Sequence, residues 1–151
     1  MYYTYILKCA DDSYYVGSTE NLNNRVRDHN SGKGAEYTFK RKPCCLVWYN
    51  KHSDQKLAIL QEKQIKKISR QKKEKLIFAK DTIWQHYKGN KYIILGQIDN
   101  LIVYSDYANW QKFVNKKEIP GEQSAAYLRH KDQWLDWADV QNKKLRFNLV
   151  A

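Results

Sequence analysis

The run YYTYILKC, residues 2–9, is joined by Asp11-Asp12-Ser13 to YYVG at residues 14–17, and a capped helical pattern follows at once. Aromatic and β-branched residues favour extended backbone, and Asp and Ser supply turn chemistry, so this stretch predicts a β-hairpin leading into a helix. Asn21 is the expected N-cap, Leu22 and Val26 recur four apart, and Asn30-Ser31-Gly32 closes the helix near His29. On that helix Arg25 and His29 share a face. CLVWY, residues 45–49, is a third strand. Ser53 is expected to cap a longer helix to about Ile68, with Leu57, Leu60 or Gln61, Ile65 and Ile68 as its inner stripe. Ser69 opens a short helix that ends near Ala79. The order predicts a small α/β domain over residues 1–80, a three-stranded, mostly antiparallel sheet flanked by helices.

From residue 81 the pattern changes to short strands and turns: WQHY, then Lys88-Gly89-Asn90, then Tyr92 to Gly96, Leu101 to Tyr104 and Leu145 to Val150. Residues 123–137 fit either a helix or a loop. Residues 81–151 are therefore expected to form a small β-rich domain. Asp132, Asp136 and Asp139 are irregularly spaced and flanked by Trp134 and Trp137, which favours an amphipathic packed segment over a metal site.

Charge divides the same way. Of a net +11, residues 1–80 hold 17 Lys+Arg against 8 Asp+Glu, a balance of +9, and residues 81–151 hold 10 against 8, a balance of +2. Such a surface suits a polyanion or a solvated basic face. No stretch approaches the roughly 18 consecutive apolar residues of a membrane span, and Met1 leads directly into the first strand pattern. Cys9, Cys44 and Cys45 have the spacing of neither a disulfide framework nor a zinc site, and are expected as reduced thiols in a cytoplasmic protein.

Tyr5, Tyr15, Arg25, His29 and Glu62 together carry the parts of a phosphodiester-cleaving site. Hydrolysis needs a water, a group that takes its proton, and positive charge for the phosphoryl oxygens. Tyrosine, with a reference pKa of about 10, needs a neighbour to act as a base. Arginine gives a fixed cationic fork, and one carboxylate can hold one divalent ion whose other positions are filled by water and substrate. Singly, each residue has a plainer reading as a strand tyrosine, a solvated helix charge or, for Glu62 and Lys66, an exposed helix pair. The segment GKGAEYTFKRK, residues 32–42, interleaves rings with cations, a pattern suited to single-stranded nucleic acid.

The ordered set of Tyr5-Ile6-Leu7, Tyr15-Val16-Gly17, Asn21-Leu22, Arg25, His29 and Glu62 within AILQEKQIKK resembles the GIY-YIG nuclease family. HNSGKGAEYTF and QIKKISRQKKEKLI resemble its compact, single-domain bacterial branch, and the likeness spans residues 1–78. It implies one-metal hydrolysis, with Tyr5 as base assisted by His29, Tyr15 at the scissile phosphate or its water, Arg25 on the transition-state charge, and Glu62 holding Mg²⁺ or Mn²⁺. Gly17, Ser18, Lys33, Tyr37, Thr38, Lys40, Arg41 and Lys42 are the expected nucleic-acid contacts. The first motif has Thr4 before Tyr5 rather than glycine, Ser18 stands where some relatives carry lysine, and no late asparagine is matched. WQHYKGNKYIILG, with VYSDY and RFNLV, resembles a small bacterial domain family of uncharacterised function. The expected function is a divalent-metal-dependent endonuclease, with DNA favoured over RNA and single-stranded or structured substrates in view. Residues 81–151 would contact substrate or a protein partner. The alternatives are a non-cleaving nucleic-acid-binding protein on the same scaffold, or an interaction protein acting through its C-terminal domain.

Overall fold

A computed structural model describes residues 1–108, 110–111 and 127–150 of the chain. They fall into two compact units, residues 1–73 with 139–143, and residues 74–138 with 144–151.

In the first unit the hairpin of β1 (Tyr2–Cys9) and β2 (Tyr14–Thr19) is joined by β3 (Cys44–His52), with β1 in the centre and both pairings antiparallel. Strand alternation sends Tyr5, Leu7 and Cys9 to one face, where they pack with Cys44, Tyr15, Leu22, Val26 and Leu46. Leu22 and Val26 come from α1 (Leu22–Ser31), whose N-cap Asn21 accepts from Asn24 N at 3.0 Å. Gly32 ends that helix at φ 85°, a left-handed conformation that glycine adopts without steric cost. A one-turn helix, α2 (Glu36–Phe39), interrupts the expected connecting loop.

The opposite face of the sheet is covered by α3 (Gln55–Lys67). Its cap is Asp54 rather than Ser53, since the Asp54 carboxylate accepts from Lys56 N at 2.8 Å. Its inner stripe keeps Ile65 and Gln61 of the expected set but not Leu57 or Leu60. Ala58 and Ile65 are buried, whereas Leu57 and Leu60 are 49% and 52% exposed. The inward line runs through positions 58, 61, 62 and 65, and its two central members are polar. Gln61 Oε1 bonds His52 Nε2 at 2.8 Å, while Thr4 Oγ1 donates to Ala58 O at 2.9 Å. α4 (Arg70–Ile77) follows, with Lys72 N on Ser69 Oγ at 3.3 Å.

The second unit is built on five antiparallel strands in the order β10-β4-β5-β6-β7: β4 (Ile83–His86), β5 (Lys91–Ile98), β6 (Leu101–Asp106), β7 (Tyr127–His130) and β10 (Phe147–Leu149). Its core holds Trp84, Ile94, Ile102, Trp134, Leu135 and Phe147. Residues 127–137, left between helix and loop by their pattern, divide into β7 and the single turn α5 (Lys131–Trp134), while residues 123–126 lie outside the described residues. The expected final strand is two pieces. Lys144–Leu145 (β9) pairs with Trp137–Asp139 (β8), and only Phe147–Leu149 joins the larger sheet. No described helix is long and apolar enough to cross a membrane.

Candidate active site

Tyr5 sits at the centre of β1, opposite Gly17 in β2 and Tyr49 in β3. Its hydroxyl lies 2.8 Å from His29 Nε2, and both residues are fully buried. His29 Nδ1 lies 2.7 Å from Thr38 Oγ1, and the Thr38 hydroxyl donates its proton to Ala35 O at 3.0 Å. With its own proton so committed, the Thr38 oxygen accepts, so His29 carries its proton on Nδ1. The Nε2 lone pair then faces Tyr5, and the phenol O–H donates to it.

Electrostatics favour the neutral form of both partners. Burial, with the nearby Arg25 charge, pushes the His29 pKa down to about 4. Burial raises that of Tyr5 to about 12, against the lowering effect of Arg25. Arg25 stands close to the Tyr5 and Tyr15 oxygens, which hold it firmly protonated. Tyr15 completes the cluster, its ring 4.9 Å from that of His29 and 6.4 Å from that of Tyr5.

Glu62 approaches from the other side of the sheet. Thr4 pairs with Ser18 on the face covered by α3, and Ser18 Oγ donates to Glu62 Oε2 at 2.5 Å. The carboxylate is near enough to Tyr5 to oppose its ionisation. β2 is the edge strand, so the Gly17-Ser18 step lies at the margin of the sheet. Glu62 Oε1 is held by Lys66 Nζ at 2.7 Å. The donors at hand are hard oxygens, one carboxylate and one hydroxyl, and no group of three His, Cys, Asp or Glu suited to a metal occurs among the described residues. This set fits a hard divalent ion with most of its positions left to other ligands, provided the exposed Lys66 swings aside.

The expected nucleic-acid contacts separate into different roles. Thr38 is corrected: it is fully buried and holds His29. Gly17 gives room to a side chain of this protein, because a Cβ there would come 2.5 Å from the Tyr5 oxygen. Ser18 is engaged with Glu62. Tyr37 is 37% exposed and stacks on Tyr15 at 6.0 Å between centroids, with the Arg41 guanidinium 3.8 Å from its ring centre on Arg41's own side. Arg41 is further tied to Asp11 Oδ2 at 3.0 Å and to the Tyr37 carbonyl at 3.0 Å, so its first duty is to brace the loop. Lys33, Lys40 and Lys42 are exposed cations, Lys40 3.7 Å from Glu36 and Lys42 4.7 Å from the centre of the Phe39 ring.

Two positioning residues escaped the sequence reading. Thr38 lies nine residues from His29, a separation with no helical period, and its place amid rings and lysines pointed outward. Gly34 is the other: a Cβ there would collide with His29 Nδ1 and come 2.8 Å from its Cα.

Residues 1–75 match the model of the GIY-YIG catalytic domain. A UPF0213 protein of Staphylococcus haemolyticus is 46% identical over 76 residues, 50% of this chain and 93% of that protein. The UPF0213 protein YazA of Bacillus subtilis is 42% identical over 79 residues, 52% of this chain and 80% of that protein. The solution NMR structure of a UPF0213 protein from Bacillus halodurans shares 42% identity over 51% of this chain and 83% of that chain, with a TM-score of 0.35.

Proposed function

The chain belongs to the GIY-YIG family through its N-terminal half, in the compact UPF0213 group, and on that premise we propose that it is a divalent-metal-dependent endonuclease acting on nucleic acid, with DNA the favoured substrate. A nuclease-type hydrolase is what the domain implies. The finer reading rests on one observation: the hydrogen-bonded line from Tyr5 through His29 to Thr38 beside Arg25.

Burial of both partners bears on how that line works. Burial raises the Tyr5 pKa and lowers that of His29, so a resting proton transfer from Tyr5 to His29 is uphill and the neutral pair is favoured over a standing phenolate. Tyr5 therefore acts as a relay. Its oxygen accepts the proton of the attacking water while its own proton passes to His29 Nε2. The new P–O bond forms as the bond to the leaving oxygen breaks, and Arg25 meets the negative charge on the phosphoryl oxygens. The resulting imidazolium is stabilised through Nδ1–H on Thr38. Glu62, with Ser18 beside it, would hold the divalent ion, which supplies Lewis-acid charge at the phosphate. Tyr15 and Tyr37 form a stacked pair at the rim on which a base or sugar can rest. Lys33, Lys40 and Lys42 supply phosphate contacts. Three free thiols fit a reducing, cytoplasmic setting.

End-labelled single-stranded DNA, duplex DNA and RNA, each with and without Mg²⁺ or Mn²⁺, test the reading beside Glu62→Ala. Metal-dependent cutting that is absent in the variant is the expected result and identifies the substrate. Salt-sensitive binding with no cutting under any condition would overturn it in favour of a binding module on a nuclease scaffold.

A further inference from the structure

Four buried N–H donors of the second unit, Arg129 Nε, Arg146 Nε, Trp134 Nε1 and Trp137 Nε1, have no hydrogen-bond partner among the described residues. The guanidinium groups of Arg129 and Arg146 also bring positive charge to the neighbourhood of His86. The carboxylate that approaches, Asp136, stops 3.9 Å from Arg146 Nη2.

Two of these side chains, Trp134 and Arg129, meet at Phe147. The Trp134 ring stacks on it at 3.9 Å between centroids, the Arg129 guanidinium carbon lies 5.3 Å from its centre, and the His86 ring meets it edge-on at 5.1 Å. His86 links this cluster to an open pocket of about 380 Å³ that it lines with Gln85, Tyr87, Gly89, Lys144 and Asn148. That volume lies within the range of roughly 300–1,000 Å³ usual for small-ligand sites. Lys88 N donates to His86 Nδ1 at 3.2 Å, which leaves the other ring nitrogen as an N–H donor. Burial and the nearby charges of Lys88, Arg146 and Arg129 push the His86 pKa down, so the ring is neutral in a field that favours an anion.

The remaining walls suit a base. Tyr87 is 45% exposed, with its ring 4.5 Å from that of His86. Gln85 and Asn148 each give an amide N–H to backbone, to Gly89 O at 3.0 Å and to Leu145 O at 2.9 Å. Each amide is thereby oriented, with its oxygen and second N–H left to meet a base edge. Gly89 has open space around it, so the turn leaves the pocket mouth clear.

We propose that this pocket is a second nucleic-acid site, taking one nucleotide of a single strand with its phosphate on the arginine and lysine cations and its base against Tyr87 and His86. The pocket is distinct in residues and chemistry from the Tyr5 cluster, and holds substrate without cutting it. It rests on nucleic acid being the substrate, but not on the Tyr5 relay.

The test uses the full chain carrying Glu62→Gln, with three probes: a short oligothymidylate, thymidine 5′-monophosphate and inorganic phosphate. NMR follows the His86 ring and the Trp134 indole N–H, and affinity is measured against salt. The oligothymidylate should shift both signals at concentrations where the two small probes do not. Lys144→Glu combined with Arg146→Gln should weaken it by about tenfold and reduce the salt slope by about two. Lys88→Glu, on the exposed turn, should cut the slope by about one and carries the test where the arginine variant fails to fold. Unmoved His86 signals with the strand bound, or an unchanged slope in a folded variant, would overturn the site. Equal shifts from the mononucleotide or phosphate would overturn its assignment to a strand. Failure of the cleavage reading is seen separately, as absent cutting by the unmodified chain with the His86 shifts intact.

Discussion

Gly17 lies directly beneath Tyr5: a Cβ at position 17 would come 2.5 Å from the phenol oxygen and 2.7 Å from the carbon that bears it. The two residues are register partners across the hairpin, so the ring has no lateral escape short of rotating away from His29. Gly17→Ala should therefore displace the Tyr5 hydroxyl from Nε2 and destabilise the fold by about 1–3 kcal/mol, the usual penalty for overpacking. Urea unfolding measures the second effect and single-turnover cleavage the first. A fully active, equally stable variant would show that the ring does not need this space.

Thr38 governs which nitrogen of His29 bears the proton. Thr38→Val keeps the shape but leaves Nδ1–H buried without an acceptor, which should lower stability by about 1–3 kcal/mol. It also removes the bond that stabilises the imidazolium, so the cleavage rate should fall while nucleic-acid affinity changes little. Nitrogen NMR of the ring reports the tautomer, and Thr38→Ser should restore both tautomer and rate. A variant with an unaltered rate and an altered tautomer would remove His29 from the proton path.

The fold of residues 1–75 was legible because its elements carry strong local signals: an asparagine cap at 21, glycine at 32, aromatic and β-branched residues in β1. The same logic misplaced the inner face of α3. The pattern counted Leu57 inward and left Leu60 and Gln61 as alternatives, yet both leucines are exposed and Gln61 with Glu62 faces inward because Gln61 bonds His52 and Glu62 bonds Ser18. A binary pattern cannot register an inward side chain that is kept polar for its partners. The family resemblance singles out Tyr5, Tyr15, Arg25 and His29, which the structure brings together, whereas Thr38 and Gly34 meet His29 through contacts made only on folding. In the second unit the strands of residues 83–106 followed their turns, but β9 and β10 ran together in the sequence with only Arg146 between them.

The buried imidazole makes stability depend on pH in a predictable direction. His29 has a folded pKa of about 4 against the ordinary imidazole value of 6.5, so between these values the unfolded chain binds the proton and the folded chain does not. Its contribution is fully present above 6.5 and is lost as pH falls through about 4, amounting to about 3 kcal/mol. Tyr5 acts at the other end: with its pKa raised to about 12 from 10.0, its contribution is present below 10.0 and lost as pH rises through 12. Urea midpoints measured from pH 4 to 6.5 should rise more steeply for the natural chain than for His29→Gln. Parallel curves would place His29 in a solvated environment. The acid limb of kcat/KM should likewise fall well below 6.5, since the relay needs Nε2 unprotonated.

Lys66 and a divalent ion compete for the same carboxylate. Its ammonium holds Glu62 Oε1 at 2.7 Å across one turn of α3, while Ser18 holds Oε2. An exposed helix pair of this kind is worth only a few tenths of a kcal/mol, so the ion displaces it at little cost, but the positive charge still repels an approaching cation. Lys66→Met should raise the affinity for Mn²⁺ in the free protein by severalfold, with fold stability changed by less than about 0.5 kcal/mol. Paramagnetic broadening by Mn²⁺ reads this without any turnover, and it should vanish in Glu62→Gln. With substrate bound, the difference between Lys66→Met and the natural chain should narrow, because phosphate oxygens then supply the charge that draws the ion in. Equal Mn²⁺ affinity in the two chains, or broadening that survives Glu62→Gln, would place the ion on other residues.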